Sequence, residues 1–127
     1  MLKLYLAVGA GGALGSIARY IFVAQAARLF GAGFPWGTMA VNILGSLVMG
    51  LVAGLFSVRG PVPVEWQAFF TFGLLGGFTT FSAFSLDVWT LFERGDTAHA
   101  AAYMLGSVGL SIAGLVMGLS FARRLLT

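Results

Sequence analysis

Four long apolar stretches, separated only by short clusters of charge, glycine and proline, constrain this chain more than any other feature. A bilayer core of ~30 Å is crossed by a helix of about 20 apolar residues, and each stretch meets that length. The first covers residues 4–27 and closes at Arg28 and the Gly31-Ala32-Gly33-Phe34-Pro35 turn. The second covers 36–58 and closes at Arg59-Gly60-Pro61-Val62-Pro63. The third covers 64–92, stopped by Glu93-Arg94-Gly95-Asp96, and the fourth covers 98–122 and ends in Arg123-Arg124. An even number of spans puts both termini on one side. Trp36, Trp66 and Trp89 fall near span ends, the depth that amphipathic rings prefer.

Composition excludes the alternatives. Charged residues make up 9% of the 127, where a water-exposed globular surface takes ~25%. The net charge of +3 comes from scattered residues at span ends, so it does not read as a nucleic-acid footprint. There is no cysteine, hence no disulfide or thiol nucleophile, and His99 alone cannot assemble a zinc site. A soluble enzyme is the poorest reading. The N-terminal stretch reads as a retained helix rather than a cleaved signal, since Lys3 alone forms its basic region and three apolar segments follow. Residues 1–127 are therefore expected to form one integral membrane domain, all-α, with four transmembrane helices.

Each span carries a G-x-x-x-G pair: Gly11/Gly15, Gly50/Gly54, Gly73/Gly77 and Gly114/Gly118. Small residues one turn apart let helix backbones approach closely where lipid supplies no hydrophobic drive. Four short helices enclose a pathway poorly by themselves, so self-association is expected. The Lys/Arg rule hardly sets an orientation. One side carries Lys3, Arg59, Arg123 and Arg124, and the other carries Arg28, Arg94 and, at the first-loop end, Arg19. Insertion both ways, and with it an antiparallel dimer, is the expectation; a single orientation set by the C-terminal arginines is the alternative.

Polar groups within the spans carry the functional signal. Thr38, Asn42 and Ser46 recur at i, i+4, i+8 on one helix face, as do Tyr103, Ser107 and Ser111. Serine and threonine often bond their own i−4 carbonyl, but an asparagine amide has donors and an acceptor that lipid cannot satisfy. Asn42 either ties two helices together or lines a pathway, and the two parallel stripes favour a pathway. The third span, at 29 residues, would make about 43 Å of continuous helix, more than a bilayer needs. Its middle, Gly73-Leu74-Leu75-Gly76-Gly77-Phe78-Thr79-Thr80, is poor helix sequence. It predicts either an unwound turn, whose freed carbonyls can bind a cation, or a plain glycine kink. Phe81 and Phe84 share a face; they pack, or they offer positive ring edges that solvate an anion weakly. Arg19 either snorkels or faces the bundle, and Asp87 either pairs with Arg19 or lies in a wet vestibule. Glu65, Glu93, Asp96 and His99 read as boundary residues.

Gly37-Thr38-Met39-Ala40-Val41-Asn42 and Gly76-Gly77-Phe78-Thr79-Thr80-Phe81-Ser82-Ala83-Phe84-Ser85 resemble the signatures of the Fluc (CrcB) fluoride channels, as do the length, the four spans and the Phe-Pro-Trp-Gly-Thr entry to span two. The resemblance implies an antiparallel, dual-topology homodimer in the cell (inner) membrane, with two fluoride pores. It also implies a structural sodium ion on the dimer axis, held by the backbone carbonyls of Gly76 and Thr79 from both copies. The family's pore asparagine falls on Asn42, its phenylalanine pair on Phe81 and Phe84, and its hydroxyl track on Tyr103, Ser107 and Ser111. Thr38 and Ser82 lie near the implied ion path. Ala83, Asp87 and Leu115 depart from the usual threonine, glutamate and polar residue at those places. The implied function is passive export of cytoplasmic fluoride. The rivals are a small multidrug-type proton antiporter, which needs a carboxylate that span one lacks, and a non-transporting assembly subunit, which leaves Asn42 without a purpose.

Overall fold

The computed structural model describes residues Met1–Thr127, and it contains helices and short connections with no strand. Helix α1 is Leu2–Phe30 and α2 is Trp36–Arg59; the third span, Val64–Glu93, is segmented, and the last helix is Thr97–Leu126. Each of the four expected spans is thus helical. The helices run beyond the apolar limits at both termini, because Lys3, Arg28, Arg123 and Arg124 are good helix formers whose long stems keep their charges near water. Gly31, Gly60 and Gly95 take φ of 80, 85 and 83°, the left-handed conformation glycine adopts cheaply, and each turns the chain at the end of a span.

Within the third span, α3 (Val64–Ala68) continues into a π-helical stretch over Phe69–Leu75 and then α4 (Gly76–Phe78). Thr79 (φ −88°, ψ 159°) and Thr80 (φ −153°, ψ 121°) are extended, and α5 starts at Phe81 and runs to Glu93. The last helix, Thr97–Leu126, is α6. Sequence propensity gave no sign of the π-helical stretch. It lies where α1 comes closest: a Cβ on Gly73 would stand 3.0 Å from the Gly11 Cα, and one on Gly11 would stand 2.8 Å from the Leu74 nitrogen.

The glycine pairs serve contacts within the chain. Gly15 faces the Leu74 carbonyl and Gly77 the Gly12 carbonyl, so α1 lies backbone to backbone on the third span. Gly50 faces the Leu115 carbonyl and Gly118 the Leu47 carbonyl, which zips α2 to α6. A compact cluster of Phe84, Leu91, Ala100 and Tyr103, flanked by Phe34, Met39 and Val88, joins α5 to α6 under the first loop. Only 20 of the 127 residues are buried, and side chains such as Phe72, Leu105 and Phe121 point outward. An apolar exterior of this kind suits lipid and would be aggregation-prone in water.

Candidate functional site

The site is built around the two extended threonines. Asn42, from the second turn of α2, accepts from the Thr80 N–H through Oδ1 (2.8 Å) and donates from Nδ2 to the Thr80 carbonyl (3.0 Å). The amide therefore replaces the neighbours Thr80 would have in a helix, so the extended residue leaves no unpaired backbone group at membrane depth. Thr80 also caps α5, its Oγ1 accepting from the Ala83 N–H at 3.1 Å. In a continuous helix, the Thr80 and Ala83 N–H groups would bond the carbonyls of Gly76 and Thr79. Both are engaged elsewhere, which releases those two carbonyls. The Gly77 carbonyl accepts instead from Arg19 Nε at 2.9 Å.

Beside this junction runs an open groove of about 230 Å³. Asn42 and Ser46 line it from α2, Thr79, Thr80, Phe81 and Phe84 from the third span, and Ser107, Val108 and Ser111 from α6. None of these side chains is ionisable. Asn42 spends one of its two amide hydrogens on Thr80 and has a second to offer. Ser107 is 3% exposed and its Oγ has no hydrogen-bond partner, alone among the buried polar side-chain atoms. Phe81 and Phe84 lie 5.6 Å apart between ring centroids, inclined by 54°. Phe84 is 7% exposed and wedged against Tyr103, whereas Phe81 is 77% exposed on the open edge of the groove.

Other residues singled out from the sequence lie nearby but outside the groove lining. Tyr103 is fully buried and donates its phenol to Asp87 Oδ2 at 3.0 Å, so its hydroxyl leaves the line of Ser107 and Ser111. Asp87 meets Tyr103 rather than Arg19, and Arg19 faces the bundle rather than snorkelling. Thr38, also buried, borders a separate hollow with Ser16, Arg19 and Thr80. Ser82 is exposed, with its Oγ 3.4 Å from that of Thr80. Gly76 is exposed, whereas Thr79, which does line the groove, is half-buried. Thr80 was expected as part of the interrupted stretch, but not as the partner of Asn42 or the cap of α5; a threonine just ahead of the Phe81/Phe84 helical pair was the available N-cap signal.

Four apolar helices and an uncharged polar groove at mid-span define a polytopic membrane protein with a candidate path for a small solute. The family described as "CrcB-like protein, Camphor Resistance (CrcB)" matches residues 6–119, and the chain belongs to that family. It is 52% identical over 118 residues to a protein of Nitrobacter winogradskyi named "Fluoride-specific ion channel FluC", covering 93% of this chain and 94% of that one. Relatives of the same name from Phenylobacterium zucineum (52% over 120 residues, 94% of each chain) and Rhizobium etli (47% over 125 residues, 98% of this chain and 99% of the relative) match as closely in extent.

Proposed function

We propose that this chain is a fluoride-selective passive channel of the cell membrane that lets cytoplasmic fluoride leave. The observation that carries the reading is the groove itself. It holds a spare Asn42 donor, an unpartnered Ser107 hydroxyl, a second hydroxyl at Ser111 and two phenylalanine rings, with no charged side chain. Family membership and the printed function of the relatives point the same way. Fluoride is small and a strong hydrogen-bond acceptor, so donors that replace its water one at a time favour it, while the ring edges of Phe81 and Phe84 tolerate its charge without trapping it. Larger halides fit the narrow passage and its donor spacing less well.

The groove is open along the Phe81 edge, and a second, antiparallel copy completes it, giving two pathways per dimer. The near balance of Lys and Arg between the two sides supports that dual topology. We read Val64–Glu93 as one membrane span interrupted at Thr79–Thr80. The released carbonyls of Gly76 and Thr79 fit a hard monovalent cation, which takes oxygen ligands, and two copies supply four of them. A sodium ion bound there would offset the repulsion between converging carbonyl dipoles. The test is anion efflux from liposomes holding the purified protein, fluoride against chloride. Fast fluoride release without chloride release is expected; no release from folded, dimeric protein overturns the channel reading.

A further inference from the structure

Arg19 lies in the apolar body of α1, yet it is tied to the junction of the third span, its Nε donating to the Gly77 carbonyl at 2.9 Å across 58 residues of sequence. The ion pairs of the chain are Arg94–Asp96 and His99–Asp96, so no carboxylate neutralises Arg19. Arg19 borders a hollow of about 240 Å³ whose other polar lining residues are Ser16, Tyr20, Thr38 and Thr80. A complete positive charge is therefore lodged on the Gly77 carbonyl, between those of Gly76 and Thr79, whose helical donors bond elsewhere.

We propose that Arg19 is a fixed cation built into this junction, and that it sets the charge class of the ion held by the flanking carbonyls, admitting a monovalent cation and excluding a divalent one. The inference rests on the reading that Gly76 and Thr79 hold sodium. Repulsion between two cations scales with the product of their charges and is little screened away from water. Doubling the charge of the incoming ion therefore doubles the repulsion from Arg19. The bond to Gly77 prevents the guanidinium from swinging away, and arginine cannot lose its proton to relieve the contact. Lysine, a flexible point charge that deprotonates when buried, would be a weaker guard.

The test uses the full chain purified in detergent, with sodium replaced by N-methylglucamine. The dimer fraction and the melting temperature are then followed as sodium or calcium is added. The native chain is expected to gain dimer and melting temperature with sodium, and to need far more calcium for the same gain. Arg19→Gln removes the charge, and Ser16→Asp, one turn before Arg19 on the same face, neutralises it without removing it. In either variant the calcium requirement, relative to sodium, should fall by roughly tenfold or more. Arg19→Lys at pH 6, which keeps the charge, should stay with the native chain. If the variants that fold retain the native calcium-to-sodium ratio, or if Arg19→Lys admits calcium, the role of Arg19 is overturned. A native chain indifferent to sodium would instead overturn the sodium site on which this rests.

Discussion

Asn42 closes on Thr80 with both ends of its amide, an acceptor at 2.8 Å from the Thr80 nitrogen and a donor at 3.0 Å from the Thr80 oxygen. The pairing settles which end of the amide is which, because the backbone offers one donor and one acceptor in fixed places. It also makes one residue serve both the fold and the groove.

That double role governs two substitutions. Asn42→Ala leaves a backbone donor and acceptor unpaired and should cost about 2–6 kcal/mol, since each orphaned group costs about 1–3. Asn42→Asp retains the acceptor for the Thr80 N–H but loses the donors to the Thr80 carbonyl and to the groove, and it sets a negative charge against that carbonyl. It should abolish fluoride efflux and lower the melting temperature as well. Paired melting curves and liposome efflux decide; an Asn42→Asp channel with native flux would remove Asn42 from the pathway.

Ser107 should behave in the opposite way. A buried hydroxyl without a partner is a cost to the fold, so Ser107→Ala should be neutral or stabilising by up to about 1 kcal/mol. Fluoride efflux should nevertheless fall several-fold, roughly the effect of one lost hydrogen bond. Native flux from a well-folded Ser107→Ala protein would leave the orphaned hydroxyl without a function.

The two phenylalanines differ in burial and should differ in the same sense on mutation. Phe84→Ile opens space beside Tyr103 in the packed cluster and should cost about 1–2 kcal/mol. Phe81→Ile, at an exposed edge, should leave the isolated chain's stability within about 0.5 kcal/mol. Both should lower fluoride flux or its preference over chloride. If Phe81→Ile conducts and selects as the native chain does, ring edges play no part.

Backbone contact at the glycine pairs gives a purely structural test. A Cβ at Gly50 or Gly118 would press on the facing carbonyl of Leu115 or Leu47. Alanine at either place should push α2 and α6 apart at a cost of about 1–3 kcal/mol, or more. Gly9, with nothing within 4 Å of its Cβ position, should accept alanine with a gain of up to about 1 kcal/mol. Yield and monodispersity in detergent rank the three variants.

The pair of buried Tyr103 and half-buried Asp87 should be strongly coupled. Tyr103→Phe strips the carboxylate of its phenol donor and should cost about 1–3 kcal/mol. Adding Asp87→Asn, which removes the charge, should make the double variant more stable than the sum of the two single effects predicts. Strict additivity in melting free energy would show that the 3.0 Å contact contributes nothing.

The sequence by itself determined the four helices, because a span is decided locally: an unbroken run of apolar residues in lipid must satisfy its backbone within itself, and the helix is the solution. It also determined which polar residues had to be accounted for, since Asn42, Ser107 and Ser111 stand out against an apolar background wherever they point. Tertiary structure alone decided what they meet. The hydroxyl stripe of α6 divides, with Ser107 and Ser111 at the groove and Tyr103 turned to Asp87. Arg19 reaches the Gly77 carbonyl, and the π-helical stretch forms where Gly73 lies against Gly11. These are contacts between residues on different helical segments, 16 positions apart for Tyr103 and Asp87 and 58 for Arg19 and Gly77, and spacing along one helix names a face without naming the partner that will cover it. Which helix lies on that face follows from backbone approach at Gly15, Gly50 and Gly118, an outcome of packing all four spans at once.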